Sequence, residues 1–464
     1  MKYRKKVDLI TTKNTNWQYN SQKMCIFAIE KIYYMNYYKR TADALLQDLL
    51  DAFGAVLIEG PKWCGKTTTA SQLANSILRM QDPSMREEYL ATARTKPSIL
   101  LKGDTPRLID EWQDAPMLWD AVRTTVDDRQ IPGQFILTGS NAVDKSQIHH
   151  SGAGRIARLR MLPMSLWESQ ESTGEVSLKE LFNNPDYNID GKMSKMTVED
   201  LIFAASRGGW PASLLARTPK AQLLVAKNYV QTICSDDVSG IDGKKRDAKL
   251  TSMILRAYAR NVSTLVKKKS LLDDVTSSGE VSCHVDTFDD YVSALEKLFV
   301  IQNISAWCPA IRSKTAIRSS VKRCFCDPSI PIALLGLSPE SLSMQLRTFG
   351  FIFEQMCIRD LKAYTIDLNS HVSYYHDRYD LEADIVLHLE DGRYALIECK
   401  LGSSEIDEGA KHLLELKRLI QEHNKTEKQV PIREPDLLIV MTGGTMAYSR
   451  PDGVKVIPLA CLKD

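Results

Sequence analysis

The chain contains the octapeptide Gly60-Pro61-Lys62-Trp63-Cys64-Gly65-Lys66-Thr67, which fits the pattern G-x-x-x-x-G-K-[ST] of a phosphate-binding loop. The apolar run AVLIE (residues 55–59) precedes it, and the helix-compatible residues 68–80 follow. The two glycines let backbone N–H groups turn inward around phosphates, and the next helix points its positive end at them. We therefore expect ATP to contact Gly60, Pro61, Lys62, Trp63, Cys64, Gly65, Lys66, Thr67 and Thr68.

A second motif, Arg107-Leu108-Ile109-Asp110-Glu111, is a short apolar strand that ends in two acids. Phosphoryl transfer requires neutralised charge and one positioned base. Lys66 would reach the β- and γ-phosphates, Thr67 and Asp110 would hold Mg²⁺, and Glu111 would polarise the attacking water. The two motifs together predict a P-loop (Walker A) and a Walker B strand with ATP and Mg²⁺ as cofactors.

Two further segments supply candidates for the transition state. The run FILTGSN (residues 135–141) is a buried strand that delivers Ser140 or Asn141, either of which could sense the γ-phosphate. Arg155 follows a Gly-Ala-Gly turn, so a mobile loop could bring its guanidinium to the developing charge. Arg158 and Arg160 are alternatives for this role, and all three arginines could instead make surface ion pairs.

The remaining pattern divides the 464 residues into an extension and three domains. Residues 1–34 are basic and aperiodic, and we expect an appendage there or an upstream extension ahead of a start at Met35. Between residues 55 and 160 the apolar runs AVLIEG, SILLK, RLIDE and QFILTGS alternate with helix-length segments, which predicts an α/β P-loop domain with a parallel sheet over residues 35–170. Residues 171–340 follow as a mainly helical domain, and residues 341–464 as a third, α/β domain.

The helical domain has one helix-then-strand pattern, residues 288–298 followed by FVIQNISAW, which predicts a winged helix. The run Lys267 to Lys269 could touch phosphates, so DNA contact is possible although weakly supported. The whole chain has 60 basic and 58 acidic residues, which excludes a protein that coats nucleic acid. Without an apolar span or an export signal, and with ten scattered cysteines, the chain is expected to be cytoplasmic, with no membrane contact.

The last domain carries a second constellation, on residues 383–400, which read as a β-hairpin turning at residues 390–392. Pairing Leu389 with Arg393 separates an apolar face from a polar one, whereas a two-residue turn would mix both faces. The first register sets Asp384 opposite Glu398, with Cβ atoms about 5 Å apart, and places Lys400 on the same face.

Two facing carboxylates repel unless a cation or a proton lies between them, so Asp384 and Glu398 are candidate metal ligands. Lys400 could then polarise water or stabilise a pentavalent phosphorus, and Glu354 on the preceding amphipathic segment is a further acid. This is nuclease-like chemistry. The alternative is a scaffold whose polar edge contacts only solvent or a partner, which the 15 basic and 20 acidic residues of 341–464 favour.

At these residues the chain resembles the prokaryotic AAA-like ATPases that carry a C-terminal domain of unknown function. The resemblance rests on GPKWCGKTT, LIDEWQ, FILTGS, GRIARLRMLPMSLWE and GGWP (residues 208–211) and runs from about Met35 to the C-terminus. It implies ATP binding, a cytoplasmic setting and a C-terminal restriction-endonuclease fold. In that fold, Asp384 and Glu398-Cys399-Lys400 match D…[DE]-x-K, and Glu354 matches the upstream acid.

Three hypotheses follow from the sequence. The chain is an ATPase whose nucleotide cycle acts on the C-terminal module, an ATP-regulated metal-dependent DNA nuclease, or an interaction protein for an unknown protein partner in which both sites are remnants. The intact Lys66, Thr67, Asp110 and Glu111 favour the first two.

Overall fold

The computed structural model describes residues 37–141, 150–277, 279–307, 320–426 and 431–464. All elements below lie in the compact unit Arg40–Asp464. The predicted N-terminal extension, residues 1–34, lies outside the described residues. No helix of the described part is long and apolar enough to cross a membrane.

The first domain is built on a parallel sheet whose strands follow the predicted apolar runs in three of five cases. The strand order is β2-β3-β4-β1-β5, so β4 separates the P-loop strand from the Walker B strand. The strands are β1 (Ala55–Glu59), β2 (Ser76–Arg79), β3 (Arg107–Asp110), β4 (Phe135–Gly139) and β5 (Ile156–Arg160). The helices are α1 (Ala42–Ala52), α2 (Lys66–Leu73), α3 (Arg86–Thr95) and α4 (Met117–Arg129).

The P-loop helix is shorter than predicted, and this changes the second strand. Helix α2 ends at Leu73, and the tail of the expected helix, Ser76–Arg79, is β2. The apolar run SILLK, predicted as a strand, instead forms a 3₁₀ turn at Pro97–Ile99, and the side chains of Leu100 and Leu101 pack in the core of this domain. Both segments contain the same three letters, so apolar content alone did not separate them; the Pro at the start of the second favours a turn.

The chain then forms β6 (Val176–Ser177), α5 (Leu178–Asn183) and β7 (Lys192–Met193) before the helical domain begins. The helices that follow are α6 (Val198–Arg207), α7 (Pro211–Leu215), α8 (Pro219–Thr232), α9 (Val238–Gly240), α10 (Ala248–Arg260), α11 (Lys268–Thr276), α12 (Val285–Lys297), α13 (Ser329–Leu335) and α14 (Pro339–Ser343). Between α8 and α9, Ile233–Asp237 is a π-helical turn, a feature often found at functional sites.

The expected strand after α12 is present only as isolated bridges. Ile301 pairs with Phe325 and Ile304 with Lys322, both antiparallel. Residues 308–319, which join these segments, lie outside the described residues. The winged helix therefore stays a prediction.

The C-terminal domain is a seven-stranded mixed sheet between two long helices, α15 (Leu346–Tyr364) and α16 (Ile406–Thr426). The strand order is β7-β12-β13-β11-β10-β9-β8. The strands not yet given are β8 (His371–His376), β9 (Glu382–His388), β10 (Tyr394–Lys400), β11 (Leu437–Thr442), β12 (Met446–Ser449), β13 (Lys455–Pro458) and β14 (Leu462–Lys463). Helix α15 shares a core with Ile385 and Ile397, and α16 shares another with Val386 and Leu396, so both faces of the sheet are covered.

Residues 171–197, which the sequence analysis assigns to the helical domain, also pair with the C-terminal domain. Strand β7 pairs with β12, and β6 pairs with β14 in a separate two-stranded sheet. This segment is polar because short edge strands and turns need few apolar residues. The segment is thus part of the C-terminal domain in space.

Candidate functional site

The P-loop has the backbone geometry that its glycines predict. Gly60 has a φ of 154° and Gly65 a φ of 101°, and a Cβ on Gly60 would lie 2.2 Å from the carbonyl oxygen of Met161. The Lys66 ammonium donates to the carbonyls of Gly60 (3.0 Å) and Pro61 (2.9 Å). Its charge is therefore held in the loop by neutral acceptors, with no carboxylate competing for it.

The predicted Mg²⁺ ligands meet at the carboxyl end of the sheet. Thr67 Oγ1 donates to Asp110 Oδ1 at 2.7 Å, and Thr138 Oγ1 donates to the same oxygen at 2.7 Å. A hydroxyl beside a carboxylate is the oxygen donor set that Mg²⁺ takes alongside substrate phosphates. Sequence reasoning did not include Thr138, although it lies inside the quoted FILTGS strand.

Glu111 follows β3 in the left-handed region, with a φ of 55°, which turns its side chain out of the strand line. Its carboxylate accepts hydrogen bonds from Ser140 Oγ at 3.2 Å and from the Gln113 amide. Asn141 lies on the wall of the same cleft, and its buried Oδ1 has no hydrogen-bond partner among the described residues. The structure thus brings Glu111, Ser140 and Asn141 together as expected.

The three candidate arginines are spread along β5: Arg155 precedes the strand, Arg158 lies in its middle and Arg160 ends it. Arg155 precedes this strand, and its carbonyl pairs with the first residue of β1, so it lies at the sheet edge opposite the P-loop, where its Nε binds Asp127 at 2.7 Å. Arg158 and Arg160 contact Glu59, at 3.4 and 3.8 Å. Within one chain, the structure does not bring Arg155 to the P-loop, because the strand that follows it runs parallel to β1.

Arg40 is a residue that the motif search missed. Its guanidinium donates to the carbonyl of Cys64 in the P-loop (2.7 Å), to the carbonyl of Leu162 (2.7 Å) and to Glu168 (3.0 Å). Burial alone would raise the pKa of Glu168, but Arg40 and the backbone N–H of Ser165 outweigh it and hold the pKa below its ordinary value. This buried ion pair fixes the back of the loop and explains the conspicuous Glu at the end of the GRIARLRMLPMSLWE segment.

The front of the P-loop faces the helical domain across a cleft of about 1560 Å³. Lys62 Nζ lies 2.6 Å from Asp237 Oδ1 in the π-helical turn. The ring centroids of Trp63 and Tyr229 are 5.4 Å apart. Residues of α7, α8 and α9 line the cleft opposite Lys66. The nucleotide-binding loop is therefore in direct contact with a second domain.

The Gly-Gly-Trp-Pro motif joins the first domain to the helical domain. The backbones of Met164 and Gly209 pair (N–H to O, 2.6 Å), and a Cβ on Gly209 would lie 2.2 Å from the Met164 carbonyl oxygen. The Gly209 N–H also donates to Asp327 at 2.9 Å, and the Trp210 indole donates to Ser329. A side chain at position 209 would force these segments apart.

Asp327 belongs to a buried charge cluster that also includes the C-terminal domain. Arg359 on α15 binds Asp327 (3.1 Å) and Asp360 (2.7 Å), and Asp360 accepts from the Leu166 N–H at 3.0 Å. All three charged side chains are almost fully buried. One guanidinium thus ties the three domains together.

The C-terminal hairpin has the predicted register. Leu389 N–H donates to the Arg393 carbonyl, and Ile385 lies opposite Ile397. Asp384 accepts from the Cys399 N–H at 2.8 Å, and Lys400 Nζ lies 3.0 Å from Glu398. Glu398 is fully buried, and burial together with the charge of Asp384 raises its pKa. However, the face predicted to be polar also carries buried Val386 and Leu396, because α16 covers it.

Glu354 joins this group through a residue that sequence reasoning missed, Lys322. The Lys322 ammonium contacts the Glu354 carboxylate, lies 3.7 Å from Asp384 Oδ1 and donates to the Asp384 carbonyl at 2.9 Å. Burial alone would lower the pKa of Lys322, but the two carboxylates outweigh it and hold the pKa above its usual range. Among the described residues, no group of three or more His, Cys, Asp or Glu side chains is arranged to hold a metal ion.

Three stretches of the chain are similar to known protein families. Residues 52–170 match a family described as AAA domain, and residues 198–341 and 349–462 match two domains of unknown function, DUF8612 and DUF4143. An uncharacterized protein of Mycobacterium bovis and one of Mycobacterium tuberculosis are each 24% identical over 77% of this chain and 72% of their own length. A Walker-type ATPase of Pyrococcus abyssi superposes with a TM-score of 0.38 and 11% identity, over 64% of this chain and 96% of its own. Residues 52–170 are thus similar to an AAA domain, and two stretches similar to domains of unknown function follow it.

Proposed function

We propose that the chain binds ATP with Mg²⁺ between the P-loop and the helical domain and hydrolyses it there. The observation that carries the proposal is the meeting of the two motifs on one oxygen, since Thr67 and Thr138 both donate to Asp110 Oδ1. Three residues distant in sequence converge where a metal-bound phosphate would need them. The match of residues 52–170 to the AAA domain family supports the same activity.

Each residue then has a defined part in the chemistry. Lys66 exchanges its two carbonyl acceptors for phosphate oxygens, which gain a charged donor. Thr67 and Asp110 would hold Mg²⁺, which would neutralise phosphate charge when bound. Glu111 accepts the hydrogen of the attacking water, while Ser140 and Gln113 keep its carboxylate oriented toward the cleft.

The nucleotide state would reach the helical domain through the two loop side chains that contact it. Lys62 pairs with Asp237, and Trp63 packs against Tyr229. Tyr229 packs in turn on Trp210 of the Gly-Gly-Trp-Pro motif, with ring centroids 4.2 Å apart. We infer that nucleotide exchange shifts this contact and that the charge cluster around Arg359 passes the shift to the C-terminal module.

The test separates binding from hydrolysis at one residue. In Glu111→Gln the amide keeps the shape of the side chain but loses the basicity, so turnover should fall about 100-fold or more while ATP affinity stays within about threefold. Turnover is measured by phosphate release and affinity by calorimetry. Equal turnover in the wild type and the variant would remove Glu111 from the mechanism.

A second candidate function is metal-dependent cleavage of DNA at Asp384, Glu398 and Lys400. It is favoured by Glu398, a fully buried carboxylate on the hairpin that also carries Asp384, with the Lys400 ammonium 3.0 Å away. Asp384 and Glu398 would hold a divalent ion, and Lys400 would act on water or phosphate. Against it stands Lys322, an ammonium already bound to the acids at this place.

Thermal melts of the full chain with Mg²⁺ or Mn²⁺ test this site. An occupied site stabilises the protein by about 2.7 kcal/mol at a hundredfold excess over Kd, and Asp384→Asn should remove that increment. The melts contain no nucleotide, so that ATP binding at the P-loop does not contribute to the signal. A melt indifferent to both ions would leave the C-terminal domain as a partner-binding module with a remnant fold.

A further inference from the structure

A second cavity, of about 710 Å³, is lined by residues of β5, of the helical domain and of the segment from α15 to β8. The first domain supplies Arg158 and Arg160 to its lining, the helical domain supplies Arg323, and α15 supplies Lys362. All three domains therefore contribute a cation to one cavity. The proposed ATPase chemistry does not use it.

The cations of this cavity outnumber its acids. Five Lys or Arg side chains line it, against two carboxylates, those of Asp289 and Glu296. Asp289 is already bound to Lys268 at 2.9 Å, and Glu296 accepts from the Asn303 amide at 3.0 Å. Burial raises the pKa of Glu296, which weakens it further as a counter-charge.

The arginines have donors to spare. Arg323 donates only to neutral groups, the carbonyl of Val266 and the hydroxyl of Tyr258. Arg158 and Arg160 share the single carboxylate of Glu59, and their side chains remain 42% and 57% exposed. A guanidinium carries five N–H donors, so each of these groups can bind a further acceptor without losing its present one.

Lys362 makes no hydrogen bond or ion pair with any residue of the described part of the chain. It is part-buried on α15 and reaches the cavity wall. Burial and the nearby charge of Arg160 lower its pKa. A buried ammonium without a counter-charge is costly unless a ligand supplies one, and an anion in the cavity would do so.

We propose that this cavity binds a small phosphate-bearing anion, at a site separate from the P-loop. Planar guanidinium groups bind phosphate oxygens in pairs, and an ammonium adds a point charge. The volume lies within the range of small-molecule sites, which excludes a nucleic-acid duplex as the occupant. Asn303 and His371 on the wall supply polar groups beside the cations.

Such an anion would be felt at the nucleotide site. Glu59, the carboxylate shared by Arg158 and Arg160, is the last residue of β1 and directly precedes Gly60. A ligand that engages both arginines changes the charge beside Glu59 and so acts on the strand that carries the P-loop.

The binding test uses sodium tripolyphosphate and calorimetry on the full chain. Every protein carries Lys66→Ala, so that the P-loop does not mask the signal. In this background we expect one binding site. Adding Lys362→Met should weaken its affinity at least tenfold, whereas adding Lys96→Met, at an exposed lysine of the first domain, should leave it unchanged.

Two further measurements separate a ligand site from a structural role. Lys362→Arg should restore affinity to within about threefold. Without anion, Lys362→Met should melt no lower than its parent, because the lysine it replaces has no partner. The proposal is overturned if Lys66→Ala protein binds no tripolyphosphate, if Lys362→Met binds it as tightly as the parent, or if malonate, a phosphate-free dianion, binds equally well. ATP turnover plays no part in these readouts, so failure of the proposed ATPase would not affect them.

Discussion

The nucleotide site and the C-terminal acid cluster use the same kinds of residue with opposite results. Each combines carboxylates near the ends of strands with a lysine. In the first, Lys66 binds only carbonyl oxygens, and Asp110 accepts only hydroxyls, so both charges remain available for a ligand. In the second, Lys322 and Lys400 already bind the acids. Residue types alone therefore do not identify a binding site. Its charged groups must also be free of charged partners within the protein.

Removing the internal cation of the C-terminal cluster should give the largest effect on stability. Lys322→Met leaves buried Glu354 and half-buried Asp384 without their partner, which should destabilise the chain by about 3 to 5 kcal/mol. Lys66→Met, the matched variant at the other site, loses hydrogen bonds to neutral carbonyls and should lose only about 1 kcal/mol. Denaturant unfolding measures both. Equal losses would erase the distinction between the two sites.

The same variant tests whether a metal ion can take the place of the lysine. With Lys322 removed, Mg²⁺ should raise the melting temperature of Lys322→Met more than that of the wild type, since the two acids then lack a cation. If Mg²⁺ stabilises the wild type more, the lysine and the metal occupy different places.

At the nucleotide site the largest effect should be on binding. Lys66→Ala puts a methyl group where the β- and γ-phosphates need a cation, so ATP affinity should fall at least about 100-fold, or 2.7 kcal/mol. Calorimetry with Mg-ATP measures this. Unchanged affinity in a folded Lys66→Ala protein would contradict the proposed function.

Thr138→Val gives a smaller effect at the same site. The variant keeps the side-chain shape and removes one of the two hydroxyls bound to Asp110, at a cost of about 1 kcal/mol. We expect turnover to fall several-fold while ATP binding changes little. A loss as large as that of Lys66→Ala would mean that Thr138 contacts the nucleotide directly.

The smallest effect is expected from the run Lys267 to Lys269, which belongs to neither the nucleotide site nor the C-terminal acid cluster. Lys268 pairs with Asp289, and Lys269 is exposed to solvent. Charge reversal of Lys267, Lys268 and Lys269 should therefore leave any preference among DNA sequences unchanged. Competition binding with several duplexes would show otherwise if one sequence alone lost its affinity.

Short sequence patterns predicted those features of the fold that depend on neighbouring residues alone. The P-loop, the Walker B strand and the hairpin register all follow from short segments in which burial or turn geometry leaves one solution. The errors were of another kind. Lys322 reaches Asp384 from 62 positions away, Arg40 reaches Leu162 from 122, and both depend on packing between domains. The glycines before Arg155 suggested that a mobile loop could bring it to the nucleotide. The direction of β5 instead puts Arg155 at the opposite end of the sheet from the P-loop.

The cluster around Arg359 and the strands at residues 176–193 have a consequence for how this protein can be recombined. A chimera cut at the predicted boundary near residue 341 would separate Arg359 from Asp327 and β12 from β7. A C-terminal domain fused to another protein must therefore include two segments from earlier in the chain, residues 172–193 and 320–327. The domains are consecutive in sequence, but segments of one domain pack within another. They are therefore expected to function in a chimera only when they are transferred together.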